Sequence, residues 1–505
     1  MSLHAALGAV ARRQPEHPAI VWGEEEVAYG VLWERILGWG RRLRDELAVQ
    51  PGDRVAIWLK NRPELAQAMF GVWQAGGVVV MVNHFQKPDE IAYILQDSGA
   101  RVVITEAEFR EAAARVAERL RGLRFVYIED PVPPDAAGLA PVPRSESDLA
   151  ALLYTSGTTG HPKGAMLSHG NLLHNVRSCL LCLEVTPADR LVVLLPQFHS
   201  FMFTVGTLMP LLAGASILLF KSLSPMKSVL EEILRRRATI LPAVPSFWRA
   251  LTQMPVPAEW PLRLCVSGGA ALPVEVLREF EAKFSTPLIE GYGPTESSPV
   301  ATVNPIHGPR KAGSVGRPIP DVELSIRDDA GRELPVGATG EICIRGGNVM
   351  LGYWNQPEET AKTIRDGWLY TGDVGHCDED GFFYITDRKK DMVIVNGINV
   401  YPRQVEEVMY QFPGVREAAV VGIPDLRRGE QPVGFVVLNE GATLDPKALL
   451  AFLRERLADY KVPRALHLVP ALPRNATGKV LKTQLRDLAR KLTSGPAAEP
   501  ADDPL

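Results

Sequence analysis

Cysteine is scarce in this chain: five among 505 residues, at positions 179, 182, 265, 343 and 377. So odd and thin a set is no disulfide framework and points to a reducing compartment. Cys179 and Cys182 form one C-x-x-C, but the stretch around them, "NLLHNVRSCLLCLEV", has the apolar spacing of a helix, and no second pair stands nearby. Buried thiols are expected there, not zinc or redox chemistry. Excess charge is also lacking. A net charge of −4 gives no electrostatic reason to expect nucleic acid or an anionic membrane as a partner. A membrane helix needs a run of about 20 apolar residues, and the best candidate, residues 191–220, is broken by Pro196, Gln197, His199, Pro210 and Gly214. It reads better as buried strands and a helix, so no transmembrane segment is expected. The opening "MSLHAALGAVARRQPEHPAI" has no apolar core after a basic start, so no secretory signal is expected and the expected location is cytoplasmic. No internal repeat of fixed period is present.

What the chain does have is length and alternation. At 505 residues it exceeds one ordinary core, and roughly two to four globular units are expected. Apolar runs such as "DRVAIWL" and "ARVVIT" alternate with helical patterns through residue 266, and "PMKSVLEEILRRR" and "PVEVLREFEAKF" are two of those helices. Strand–helix alternation predicts α/β architecture, with parallel sheets covered on both faces. After about residue 304 the strands shorten and "DDAG" and "PVGATG" punctuate them, which predicts a small antiparallel sheet or barrel. The charged run "TDRKKD" then precedes a compact α+β segment containing "AAVVGIP", "PVGFVVL", "PKALLAFLRERL" and "ALHLVPAL". Expected boundaries are 1–386 for the large domain, 387–391 for a hinge, 392–490 for a small C-terminal domain and 491–505 for a disordered tail.

The stretch "YTSGTTGHPKG", residues 154–164, has the glycines, hydroxyls and lysine of a phosphate loop. It fails the spacing of G-x-x-x-x-G-K-[ST], because counting from Gly157 puts Pro162 where the second glycine belongs. Read alone, it could be a Gly/Thr surface turn. It is followed, in order, by "GYGPTE" (residues 291–296), "LYTGD" (369–373), "DRKKDMVIVNG" (387–397) and "PRNATGK" (473–479).

That ordered set resembles the adenylate-forming ligases, which include acyl-CoA synthetases, luciferases and the adenylation domains of peptide synthetases. The resemblance covers nearly the whole chain. It implies a large N-terminal domain of two αβ sheets and a β-barrel, a small mobile C-terminal domain, and use of ATP, Mg2+ and coenzyme A. It also implies roles for individual residues. Thr155, Ser156, Thr158, Thr159 and the amides of Gly157 and Gly160 would surround the β- and γ-phosphates, with Lys163 as charge partner. These phosphates leave as pyrophosphate, so a loop that releases them suits the chemistry. Within Gly291, Tyr292, Gly293, Thr295 and Glu296, the resemblance makes Tyr292 the adenine-stacking face, Thr295 a phosphate contact and Glu296 the magnesium ligand. Asp373 and Arg388 correspond to the ribose contacts, and Lys390 to the hinge. Gly397 corresponds to a glycine lining the pantetheine tunnel, and Lys479 to the lysine bridging carboxylate and α-phosphate. Without that context, Lys389 and Lys390 would read as a solubilising pair and Lys479 as a solvated charge.

For the acid, peptide-synthetase adenylation domains place an Asp in a Phe-Asp-x-Ser stretch to bind the substrate ammonium. Here "QFHSFMF" offers His199 and no carboxylate, so amino acids are disfavoured. By the same resemblance His199 is expected near the acyl entrance or the carboxylate, a packed core histidine being the alternative. Phe201, Phe203, Ala243, Val244 and "SGGAA" (267–271, with Gly269 and Ala270) would form an apolar wall. "FHSFMFTVG" and "GYWNQPEET" resemble long-chain fatty acid activators most. An arylcarboxylate-CoA ligase or acyl carrier protein synthetase is the second reading, and a noncatalytic acyl- or nucleotide-binding relative a third. Expected partners are a small carboxylic acid, ATP and CoA; a homodimer stays open.

Overall fold

A computed structural model describes residues 1–131, 140–155, 162–221, 223, 225–425, 427–475 and 478–493. The N-terminal part holds two large sheets. One has seven strands, with Arg54–Trp58 and Val78–Met81 pairing in parallel at its centre and Lys163–Ser168 antiparallel to Leu149–Thr155. The other has nine strands, with a parallel core of Arg190–Val193, Ser216–Leu219, Ile240–Ala243, Leu264–Ser267 and Leu288–Tyr292. Apart from half-buried Arg190, Gly291 and Tyr292, these strands are buried, which explains their continuous apolar runs.

The stretch considered for a membrane span folds as two of these strands, a π-helical turn Met202–Leu208 and a helix Met209–Ala213. Among the described residues no helix is long and apolar enough to cross a membrane. The helix expected around the C-x-x-C runs from His169 to Leu183, with Ser168 and Asn171 exchanging capping hydrogen bonds at its start. All five cysteines are free. Pro273 stands at the N-cap of helix Val274–Lys283.

Five strands from Val322 to Arg388 form an antiparallel sheet at the position expected for the barrel. Beyond it, Gly429–Leu438 is the central strand of a second five-stranded sheet and pairs along its length with the edge strand Val415–Asp425. Its alternation is strict. Ala418, Val420 and Val436 face one core with helices Pro402–Tyr410 and Pro446–Arg456, while Val421, Val433 and Phe435 face another with helix Lys482–Thr493. That last helix continues to Thr493, past the expected boundary at 490. The remainder of the expected tail lies outside the described residues, as do Ser156, Gly157, Thr158, Thr159 and Gly160.

Candidate active site

Parallel strands of one sheet end on the same edge, and the chain uses that edge. His199 follows Arg190–Val193, Val244 follows Ile240–Ala243, Gly268 and Gly269 follow Leu264–Ser267, and Tyr292 and Gly293 close Leu288–Tyr292. Ligands of open α/β sheets bind beyond such carboxyl ends. A cavity opens here, enclosing about 560 Å³ with its mouth. His199, Gly269, Gly291, Tyr292 and Gly293 line it at the motif end, and Phe201, Val205, Val266, Val300, Cys179 and Cys182 continue its wall.

Gly293 permits no other residue: an added Cβ would lie 1.6 Å from the Pro299 carbonyl oxygen. The Tyr292 hydroxyl donates to Asp373 Oδ2 at 2.7 Å, and Arg388 Nε pairs with Asp373 Oδ1 at 3.0 Å. Asp373 and Arg388 are cross-strand partners in register, so the pair is fixed by the sheet. Asp373 is buried, and its negative charge holds the Arg388 guanidinium above its ordinary value. The Ser200 and Thr295 hydroxyls share a hydrogen bond of 3.0 Å. Glu296 receives the Tyr353 hydroxyl on Oε1 at 2.7 Å. Lys163 is buried with its ammonium 2.5 Å from Glu359 Oε2. Thr155 pairs opposite Lys163 across two antiparallel strands.

Lys479 is carried by the small domain, yet it reaches the same edge. Burial, with the positive charge of Arg388, lowers its ammonium to about 8. Its neighbour Gly478 packs near Val244 and Ser246. Burial, with the Lys479 charge, lowers His199 to about 4, so at neutral pH its imidazole is uncharged. Nδ1 accepts from the Phe201 amide at 3.3 Å, which leaves Nε2 as the donor. Lys389 and Lys390 are the central residues of a turn closed by the Asp391 amide on the Arg388 carbonyl. Lys389 is no free surface charge, since it pairs with Glu341 and Asp329 at 2.6 and 2.9 Å.

Not every sequence-derived site residue lies here. Gly397 is exposed at a hairpin tip after Asn396, with both residues at positive φ (78° and 51°). That is the two-residue turn that Asn-Gly favours, and nothing lies within 4 Å of where a Cβ would stand. Ala270 is half-buried beside Gly269. Part of the expected acyl wall is misplaced. Phe203 is fully buried, edge-on to Trp73 at 6.3 Å, and Ala243 is buried in the neighbouring core. The π turn sets Phe201 and Val205, four residues apart, on the cavity, and sends Phe203 inward. Cys179 and Cys182 are wall residues that the thiol reading did not place; their helical spacing was the available signal.

The fold and this edge define a nucleotide-dependent acid-activating enzyme. The AMP-binding enzyme pattern matches residues 7–354, and the AMP-binding enzyme C-terminal domain matches 404–479. A long-chain-fatty-acid–CoA ligase of Bacillus subtilis is 37% identical over 480 residues, covering 86% of each chain. A feruloyl-CoA synthase of Amycolatopsis is 37% identical, covering 94% of this chain and 96% of its own. ATP-bound MatB from Rhodopseudomonas palustris superposes with a TM-score of 0.89 at 33% identity, over 97% of this chain and 100% of its own. o-Succinylbenzoate CoA synthetase from Bacillus subtilis, solved with ATP and magnesium ion, gives 0.86 at 30% identity, over 95% and 99%. The chain belongs to the AMP-binding enzyme family, as an adenylate-forming acid–CoA ligase.

Proposed function

We propose that the protein converts a medium- or long-chain fatty acid to its CoA thioester through an acyl-adenylate, releasing AMP and pyrophosphate. The observation that carries this reading is the cavity wall: among the described residues no Lys, Arg, Asp or Glu lines it. A second carboxylate or an ammonium on the acid would be stripped of water there with no partner. An alkyl chain would instead gain from burial against Phe201, Val205, Val266 and Cys182. The feruloyl-CoA synthase matches as well as the fatty-acid ligase, so an aryl acid is the second reading.

A carboxylate is a poor electrophile because its leaving group would be oxide. Attack on the α-phosphate of ATP supplies a better one, AMP, at the cost of bringing two anions together. Lys479 is the cation that can bridge them, and neutral His199 can donate Nε2–H to the acid. Tyr292, Asp373 and Arg388 would seat adenine and ribose, while Lys163, Thr155 and the loop up to Gly160 would hold the departing phosphates. Among the described residues no cluster of three or more His, Cys, Asp or Glu could hold a metal. Glu296 does offer one carboxylate with Oε1 oriented by Tyr353. A single carboxylate fits Mg2+, which keeps most of its shell for water and phosphate oxygens. When bound there, magnesium would neutralise phosphate charge.

Two measurements test this reading. In a chain-length series of saturated acids, kcat/KM should rise until the cavity fills, by up to about fourfold per methylene for about 0.8 kcal/mol of burial. A preference for acetate over decanoate would refute the fatty-acid assignment. The second concerns protonation. If protonated Lys479 is required, kcat/KM for ATP falls as pH rises through about 8, since that ratio reports the free enzyme. Bound triphosphate holds the proton on, so the limb in kcat should lie at higher pH. Lys479→Arg stays protonated and should move the kcat/KM limb upward. An unmoved limb would assign it to another group.

A further inference from the structure

The segment "GYWNQPEET" at residues 352–360 is built onto the strand that carries Lys163. Gly352 and Tyr353 pair antiparallel with Met166 and Ala165, and the Trp354 amide donates to the Gly164 carbonyl at 2.8 Å. Thr360 locks the segment on itself. Its Oγ1 accepts the Tyr353 amide at 2.8 Å and donates to the Gln356 carbonyl at 2.9 Å. Two side chains then project onto the phosphate end of the site. Glu359 Oε2 lies 2.5 Å from the Lys163 ammonium, and its Oε1 takes Lys362 at 2.8 Å. The Tyr353 ring lies beneath the same ammonium, 5.3 Å from its centroid, while its hydroxyl reaches Glu296.

A buried ammonium is costly unless it is paired. The chain supplies that pair from a segment that also orients the carboxylate suited to magnesium. We propose that Glu359 and Tyr353 are positioning residues that join the two halves of the triphosphate site: Glu359 keeps Lys163 fixed and aimed, and Tyr353 ties Lys163 to Glu296. Neither residue need touch the acid, the adenine or the ribose. The inference rests on the assignments of Lys163 and Glu296 given above, and not on which acid is used.

The distinguishing property is selectivity for the β- and γ-phosphates. Binding of ATP with Mg2+ and of AMP alone should be measured by titration calorimetry on the full-length protein, with melting temperature recorded for each variant. Glu359→Gln should weaken ATP–Mg2+ binding about tenfold, and Tyr353→Phe should raise the Mg2+ concentration for half-maximal ATP binding by a similar factor, as loss of partners one shell out from a metal does. AMP affinity should stay within about twofold in both, and Glu359→Asp should recover part of the loss, because AMP never meets the Lys163 end. Parallel loss of AMP and ATP binding would make the segment merely structural and overturn the inference, as would unchanged ATP and Mg2+ dependence. Should Glu359→Gln fail to fold, Tyr353→Phe, which keeps the ring, decides by the same readout. A wild-type protein that binds ATP–Mg2+ and AMP alike would remove the Lys163 and Glu296 assignments, and the inference with them.

Discussion

Lys479→Ala is expected to slow acid-dependent pyrophosphate release by about 10²–10³-fold, the usual cost of deleting one preorganised charge contact. Conversion of supplied acyl-adenylate to thioester should change by far less. The reasoning is electrostatic. Lys479 is buried close enough to His199, Arg388 and Asp373 for their charges to act on one another, where acid and α-phosphate would meet. Once the adenylate exists, that pair of anions is gone. The two rates, measured separately by pyrophosphate release and by thioester formation, should therefore divide. Equal loss in both would make the lysine a structural residue.

Gly397→Leu is expected to show the opposite division: adenylation within about threefold of wild type, thioester formation down about 10²-fold or more, the scale of a small misplacement at a reacting centre. In this arrangement the hairpin tip faces solvent, and Ile394 and Ile398 beside it are 45% and 47% exposed. Two large apolar side chains flanking an exposed glycine suit a face that is covered in a second arrangement. Rotation about the turn at Lys389 and Lys390 would exchange Lys479 for this hairpin, since a short turn can absorb such backbone changes. The side chain would also be strained at φ 78°, but that strain sits in the hairpin, away from the adenylation contacts. Adenylation is thus the internal control. Wild-type transfer in the variant would contradict the tunnel assignment.

The strand–helix alternation and the helix around Cys179 were legible because burial and period leave a direct trace in sequence. The motifs carrying Tyr292, Asp373 and Arg388 were legible too; sheet register pairs Asp373 with Arg388, whereas Tyr292 reaches them from another sheet through its hydroxyl. The side chains around the acid were less legible. Phe203 looks like a wall residue from its proximity to His199, but the π turn Met202–Leu208 changes which face it occupies, and a short apolar run carries no signal for that turn. Ala243 instead ends a fully buried strand and belongs to the neighbouring core. Cys179 and Cys182 were read as core thiols, although a cavity wall and a core ask the same of a helix face. Lys163 was read against phosphate, and its pairing with Glu359 depends on a contact between residues 196 apart in sequence. No local pattern announces such a contact.

The central claim is that this chain activates an alkyl acid to a CoA thioester. One competition measures it: equimolar dodecanoate, ferulate and acetate with ATP, Mg2+ and CoA, and the thioesters formed at low conversion quantified by mass spectrometry. Product ratios then equal ratios of kcat/KM. Dodecanoyl-CoA in large excess over both other thioesters, with AMP formed one for one, is the expected result. Feruloyl-CoA or acetyl-CoA as the main product would contradict the account.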